Sequence, residues 1–210
     1  MFSVNEAVYR QLRHEVMAGQ FERGKKLSIR TLASRYHTSF TPVREAIKRL
    51  VAEGGLEVQA NRTFRIPKLS QNQQREILEL RCSLEGSAVE AAATHMTATT
   101  FRKLETIERK RKRLASKGDN AGLRELNRQF HFTLYQRSNN KTLMQLIENL
   151  WLRYASSYQL VSLGEDQLLD FPHHDQLMQA LDAGNPRAAR KALEADLTSH
   201  AVSINRRGKT

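Results

Sequence analysis

Cysteine is almost absent from this chain. Cys82 is the only one in 210 residues, so no intrachain disulfide can form and a reducing compartment is expected. Acidic residues are scarce beside basic ones: 22 Asp+Glu face 34 Lys+Arg, a formal net charge of +12 with a pI near 10.2. That imbalance points to an anionic partner. No apolar run approaches the ~20 residues that a helix needs to cross a bilayer. The first residues, Met1-Phe2-Ser3-Val4-Asn5-Glu6, lack the basic start and apolar stretch of a signal peptide, so a cytoplasmic protein with no membrane partner is expected. Catalytic signatures are missing too: there is no His-Glu-x-x-His, no phosphate-binding loop, and no Ser or Cys nucleophile flanked by a base. Cys82 falls among Leu80, Leu84 and Ala88 at helical spacing and reads as a core thiol. No internal repeat is present. The one biased tract, Arg109-Lys110-Arg111-Lys112-Arg113, reads as a solvated helix face.

What remains is a globular chain with an asymmetric charge. Hydrophobic content of 40% with 27% charged residues is ordinary for a folded soluble protein, and the length allows two domains with real cores. Residues 1–67 carry 12 Lys+Arg against 6 Asp+Glu, half of the net +12 in about a third of the chain. In that part Val4, Val8, Leu12 and Val16 mark an amphipathic helix ending at Gly19. Ser28 is placed to cap a short helix with Ile29, Leu32, Ala33 and Tyr36, and a third helix covers 42–53 before Gly54-Gly55. Leu56–Gln59 and Thr63–Ile66 alternate apolar with polar, and residues 60–62 form a hairpin tip between them. Three helices and a hairpin make a winged helix-turn-helix. Its third helix has Val43, Ile47 and Leu50 on an inward face and Arg44, Lys48 and Arg49 elsewhere, with Ser39 or Thr41 able to cap and Pro42 suited to the first turn. Hydroxyls and an Arg at a helix start suit a DNA major groove, where the first meet phosphate and the second reaches base edges.

After Ser70 no strand is convincing. Apolar residues recur at helical spacing over 71–93, 97–116, 120–137, 141–162, 165–182 and 186–207, with turn signals at Gly118, Ser138-Asn139-Asn140, Gly164 and Gly184-Asn185-Pro186. The fold class is therefore mainly α: a winged helix-turn-helix over 1–67 and an all-helical bundle of about six helices over 68–210. Asn127 and His131 lie four apart and share a helix face, as do Asp196 and His200, and His174 opens another helical pattern. Three helices could thus direct nitrogen and oxygen ligands into one pocket for a divalent ion such as Zn²⁺, Ni²⁺ or Mn²⁺. The same residues also suit a polar pocket or buried, satisfied histidines. Arg81 and Glu85, one turn apart, form either an ion pair or an arrangement with Arg81 turned inward to hold an anion.

Leu27-Ser28-Ile29-Arg30-Thr31-Leu32-Ala33, Thr41-Pro42-Val43-Arg44-Glu45-Ala46-Ile47-Lys48-Arg49-Leu50 and Glu53-Gly54 resemble the N-terminal domain of GntR-family bacterial transcription regulators, over residues 4–67. The resemblance implies that Arg30, Ser39, Thr41 and Arg44 face DNA, with Asn61 and Arg62 at the wing tip over the minor groove; Phe40 and Lys48 are added as DNA-binding candidates from their places on the same helix, where Lys48 also suits a solvated surface. Two departures stand out. Phe40 occupies a place where the family usually has Arg; it cannot pair with phosphate or guanine, and either presses on a thymine methyl or packs on the protein itself. Thr63 stands where the wing usually turns on Gly.

Leu78–Glu85, Phe130-His131, Leu150–Tyr154 and Ala180–Asn185 resemble the FCD-type effector domain of the FadR subgroup, in its shorter VanR-like version. That resemblance implies a homodimer whose bundle holds a divalent metal and a small carboxylate effector, with Arg81 at the effector. The family pattern places Asp, His, His and His at 127, 131, 174 and 196. This chain keeps His131 and His174, and has Asn127 and Asp196 at the other two places, with His200 as a substitute one turn on. The expected function is a ligand-responsive, dimeric regulator, a repressor in the first instance, that binds a palindromic double-stranded operator. The rival from another class is a metal-dependent enzyme built on the helical bundle, supported only by the Asn/His/His/Asp set.

Overall fold

The computed structural model describes residues 3–207 apart from 22–23, 25, 60–62 and 159–171; over 156–158 and 200–207 it describes the backbone alone. The chain separates into two compact units, residues 1–70 with 151–159, and residues 71–150 with 160–210.

In the first unit α1 (Val4–Met17), α2 (Ile29–Arg35) and α3 (Phe40–Ala52) are followed by β1 (Glu57–Gln59) and β2 (Thr63–Arg65). Side-chain caps set the helix starts: Ser3 accepts from the Glu6 N–H and Ser28 from the Thr31 N–H. α1 turns Val8, Leu12 and Val16 inward and packs on α3 through Val43, Ala46, Ile47 and Leu50. Each of the Val, Leu and Ile side chains, withdrawn from water, contributes ~1.5–3 kcal/mol before entropy is counted. Polar contacts lock the same pair. Tyr9 donates to Glu53 at 2.5 Å, Arg13 reaches the other Glu53 oxygen at 3.3 Å, and Arg49 pairs with Glu6 at 2.8 Å while lying 3.4 Å over the Tyr9 ring. Arg49 is thus a brace to α1, where the sequence left it outside the helix contacts.

β1 and β2 pair antiparallel with Val58 opposite Phe64, and each is a residue shorter than the alternating pattern suggested. A two-stranded ribbon is marginal alone. Here Leu27 adds a bridge on the outer side of Phe64, exchanging backbone bonds of 2.6 and 3.2 Å, while Leu56 and Ile66 bury beneath. α3 ends in a left-handed turn at Gly54, φ +78°. A Cβ on Gly55 would lie 2.7 Å from Leu152 Cγ, so this glycine admits the 151–159 segment grouped with the unit.

The second unit contains α4 (Gln71–Thr94), α5 (Ala98–Ala115), α6 (Asn120–Tyr135) with a 3-10 turn at Gln136–Ser138, the start of α7 (Lys141–Tyr158), α8 (Pro172–Asp182) and α9 (Pro186–Arg207). This is the mainly helical bundle expected from the spacing; residues 165–171 of the predicted fifth segment lie outside the described residues. α9 packs on both α4 and α8, and α5 on α6. Asp119 caps α6 by accepting from the Gly122 N–H at 2.9 Å. α4 departs from simple amphipathicity. Its inward face holds Arg81 and Glu85 beside Ala88, Val89 and Ala92, while Leu80 is 53% exposed. Cys82 is half-buried, and burial pushes its thiol above the usual range, which suits an inert side chain. Among the described residues no helix is long and apolar enough to cross a membrane.

Candidate metal centre and nucleic-acid interface

α3 buries Pro42, Val43, Ala46, Ile47 and Leu50, so helical geometry turns Thr41, Arg44 and Lys48 outward; these three are exposed, as is Phe40 at the first position of the helix. Ser39 is the N-cap residue, but its hydroxyl makes no capping bond and is itself exposed. The helix begins at Phe40, two residues before the position expected from Pro42. Lys48 pairs with Glu45 at 2.9 Å, both exposed, a contact that contributes little in water. Glu53 is occupied by Tyr9 and Arg13. Among the described residues no ion pair engages Arg44, or Arg30 on the exposed side of α2. Asn61 and Arg62 lie outside the described residues.

The second unit gathers its polar side chains in the interior. His131 from α6, His174 from α8 and Asp196 from α9 are 1%, 0% and 2% exposed. One ligand atom from each lies within 4.8 Å of the others. His131 Nε2 is 3.4 Å and His174 Nε2 3.7 Å from the Asp196 oxygens. The opposite ring nitrogens are tied down. His174 Nδ1 lies 2.8 Å from Glu108, whose carboxylate also takes Arg111 at 2.6–3.0 Å. His131 Nδ1 is 3.0 Å from the Tyr135 hydroxyl, which itself donates to Glu85 at 2.5 Å, and Glu85 accepts from Arg81 at 2.6 and 3.3 Å.

This network dictates the tautomers. Tyr135 spends its proton on Glu85, so its oxygen accepts from His131 Nδ1–H; Glu108 accepts from His174 Nδ1–H. Both Nε2 lone pairs therefore face Asp196. Phe130 stacks on His174 with ring centroids 4.3 Å apart, and the two imidazoles meet edge to face at 5.1 Å. Burial pushes the His174 pKa down, which keeps the ring neutral and able to donate its lone pair. Desolvation pushes Glu108 the other way, but the hydrogen bond from His174 and the Arg111 guanidinium outweigh it and hold the carboxyl at about 2.

The residues fit a divalent cation. Among the described residues His174 Nε2 is buried with no hydrogen-bond partner, an arrangement that costs stability unless something electrophilic occupies the space. Two neutral imidazoles, one carboxylate and outer hydrogen bonds on each far nitrogen form the donor set typical of such sites. Asn127 lies one turn before His131 on α6 and is half-buried; among the described residues no hydrogen bond joins it to the cluster. His200 follows Asp196 by one turn of α9, with its side chain outside the described residues. Arg81 is 1% exposed and engaged by Glu85.

Two elements of this centre escaped the sequence reading. Arg111 belongs to the basic tract read as a solvated face, yet it is 2% exposed and paired with Glu108, and Lys112 pairs with Asp175 at 2.7 Å. The signal was Glu108 three residues before Arg111, a spacing at which helix neighbours meet. Tyr135, four residues after His131 on the same face, was legible by the same rule.

The family model described as "Bacterial regulatory proteins, gntR family" matches residues 4–66, and the one described as "FCD domain" matches residues 76–199. The HTH-type transcriptional regulator McbR of Escherichia coli (strain K12) is 30% identical over 205 residues, 96% of this chain and 92% of that protein. The HTH-type transcriptional repressor RspR of the same organism is 27% identical over 147 residues, 70% of this chain and 64% of that protein. The solved structure of E. coli McbR/YncC superposes with a TM-score of 0.91 at 28% identity, covering 98% of this chain and 99% of that one. A transcriptional regulator GntR from Rhodococcus sp. RHA1 shares the fold, with a TM-score of 0.78 over 97% of this chain and 98% of that one at 21% identity.

Proposed function

This chain belongs to the GntR family of bacterial regulatory proteins, with an FCD domain as its helical unit, and we propose that it is a cytoplasmic, homodimeric repressor. Its operator is palindromic, and a small carboxylate held in the bundle governs its occupancy. The observation that carries the DNA-reading part is the outward face of α3, where Ser39, Phe40, Thr41 and Arg44 are exposed beside Arg30. Ser39 and Thr41 meet phosphate near the helix start, and Arg44 spans the O6 and N7 acceptors of a guanine. Arg30 shares the base reading with Arg44, Lys48 adds a phosphate contact, and Asn61 and Arg62 reach over the minor groove from the wing.

His131, His174 and Asp196 hold the divalent ion, with Asn127 or His200 completing the set in place of the family's Asp and His. When bound, the ion supplies a Lewis-acidic position for a carboxylate. The chain's own residues do the rest: Glu108 and Tyr135 fix the imidazoles, while Glu85 and Arg81 brace Tyr135. The effector acts only through a difference in affinity between the DNA-competent and DNA-incompetent arrangements.

The test is Arg44→Ala. Specific operator binding is expected to fall by ~1–3 kcal/mol, roughly five- to 150-fold, with the dimer and metal binding intact. Unchanged operator affinity refutes the role. Lys48→Ala should weaken all duplexes alike and flatten the salt dependence. For the metal, calorimetry on chelator-stripped protein should detect binding of Zn²⁺, Ni²⁺ or Mn²⁺ that His131→Ala with His174→Ala abolishes. No binding by the unaltered protein sinks that part of the reading.

A further inference from the structure

The outward face of α3 carries one side chain that phosphate binding cannot use. Phe40, the first residue of the helix, is 54% exposed. Helical spacing sets it at the edge of the face that buries Val43 and Ile47, three and seven residues on, yet at the first position of the helix it is left open to solvent. The ring thus stands in solvent between the hydroxyls of Ser39 and Thr41, one turn ahead of Arg44. Its surroundings are polar and cationic, in a unit with an excess of basic residues, which is complementary to a nucleic-acid duplex. A phenyl ring has no donor for a phosphate and no acceptor for a base amine. The one apolar group that base edges offer in the major groove is the C5 methyl of thymine.

We propose that Phe40 is a thymine reader: its ring packs on the C5 methyl of an operator thymine one or two base pairs from the base contacted by Arg44. Four residues of helix rise about 6 Å, and stacked base pairs are about 3.4 Å apart, which sets that spacing. The proposal rests on α3 being the helix that enters the groove. It adds a specificity determinant that neither the Arg nor the hydroxyls supply.

The test begins with the full-length protein and a pool of random duplexes, from which the tightest-binding sequence is selected. Each thymine of that site is then replaced by uracil, which deletes only the methyl, and affinity is read by fluorescence anisotropy at fixed salt. At one thymine, uracil is expected to weaken binding about three- to fivefold, the effect of one methyl returned to water. Phe40→Ala should bind the thymine and uracil duplexes equally, and Phe40→Leu should keep part of the difference. Phe40 is 54% exposed, so Phe40→Ala should keep the fold, with a circular dichroism spectrum that matches the unaltered protein. A uracil scan that is flat at every position overturns the proposal, as does an equal uracil penalty in both proteins. A pool that enriches no sequence overturns the reading of α3 itself, and this inference with it.

Discussion

Replacing Glu108 with Gln removes a negative charge on which two neighbours depend. Glu108 and Arg111 are 6% and 2% exposed, and the carboxylate meets the guanidinium at 2.6–3.0 Å. Breaking a buried pair on one side typically costs ~3–5 kcal/mol, because the remaining ion stays desolvated. The Gln amide keeps an acceptor oxygen, which places the cost near ~3 kcal/mol. For a protein of this size each kcal/mol moves Tm by ~2–4 °C, so a fall of ~6–12 °C is expected by differential scanning fluorimetry. The second dependant is His174, whose Nδ1 lies 2.8 Å from the same carboxylate. Losing that charged acceptor lowers the basicity of Nε2 and should weaken metal binding by ~10–100-fold in a competitive titration. The double variant Glu108→Gln with Arg111→Met separates the effects, since a buried pair replaced by apolar bulk is often neutral in stability. Tm should then recover while metal affinity stays low. A Tm change below ~2 °C in the single variant would refute the energetic argument. Full recovery of metal affinity in the double variant would show that Glu108 acts through Arg111, not by orienting His174.

Acid should act on the metal-free protein in two windows. His174 has a folded pKa below its ordinary 6.5, so the unfolded chain takes up the proton first. The stability it contributes is complete above pH 6.5 and lost as pH falls below it, by up to ~1.4 kcal/mol per pH unit per proton. Glu108, lowered from 4.5 to about 2, contributes above pH 4.5 and loses that between 4.5 and about 2. Urea midpoints measured from pH 8 to 3 should fall in both ranges, and a flat profile from 6.5 to 5 would contradict a neutral buried His174. Gly55→Val should destabilise the first unit by ~1–3 kcal/mol through overpacking against Leu152, 2.7 Å from the new Cβ. Leu152→Ala should relieve that cost in denaturant titrations, and strict additivity of the two changes would argue against the contact. Tyr135→Phe removes the hydroxyl between His131 and Glu85; metal affinity should drop by about tenfold with helix content unchanged, and unaltered affinity would remove Tyr135 from the site.

The fold was largely legible because its signals are local. Ser28 and Gly54 mark helix ends through backbone chemistry, and Val43, Ile47 and Leu50 mark a buried face by spacing alone. The site was legible only in part. His131 and His174 stood out as residues, and Asp196 by its four-residue spacing to His200 on one helix face. Charged side chains in the interior were misread, since Arg111 looks like its neighbours Lys110 and Lys112 until burial separates them. Leu80 was misread in the opposite sense: apolar spacing placed it inside, but α4 turns inward the face that carries Arg81 and Glu85.

The sequence by itself determined the elements, the mainly helical class and the outward composition of α3, because caps, glycines and helical periodicity act over a few residues. Only the tertiary structure decided that His131, His174 and Asp196 converge, and which nitrogen of each imidazole is left to face the others. That choice is made by Glu108, 66 residues from His174, and by Glu85, 50 residues from the Tyr135 hydroxyl that it orients, through hydrogen bonds a few ångströms long. Such bonds have direction, and direction exists only after the helices have packed.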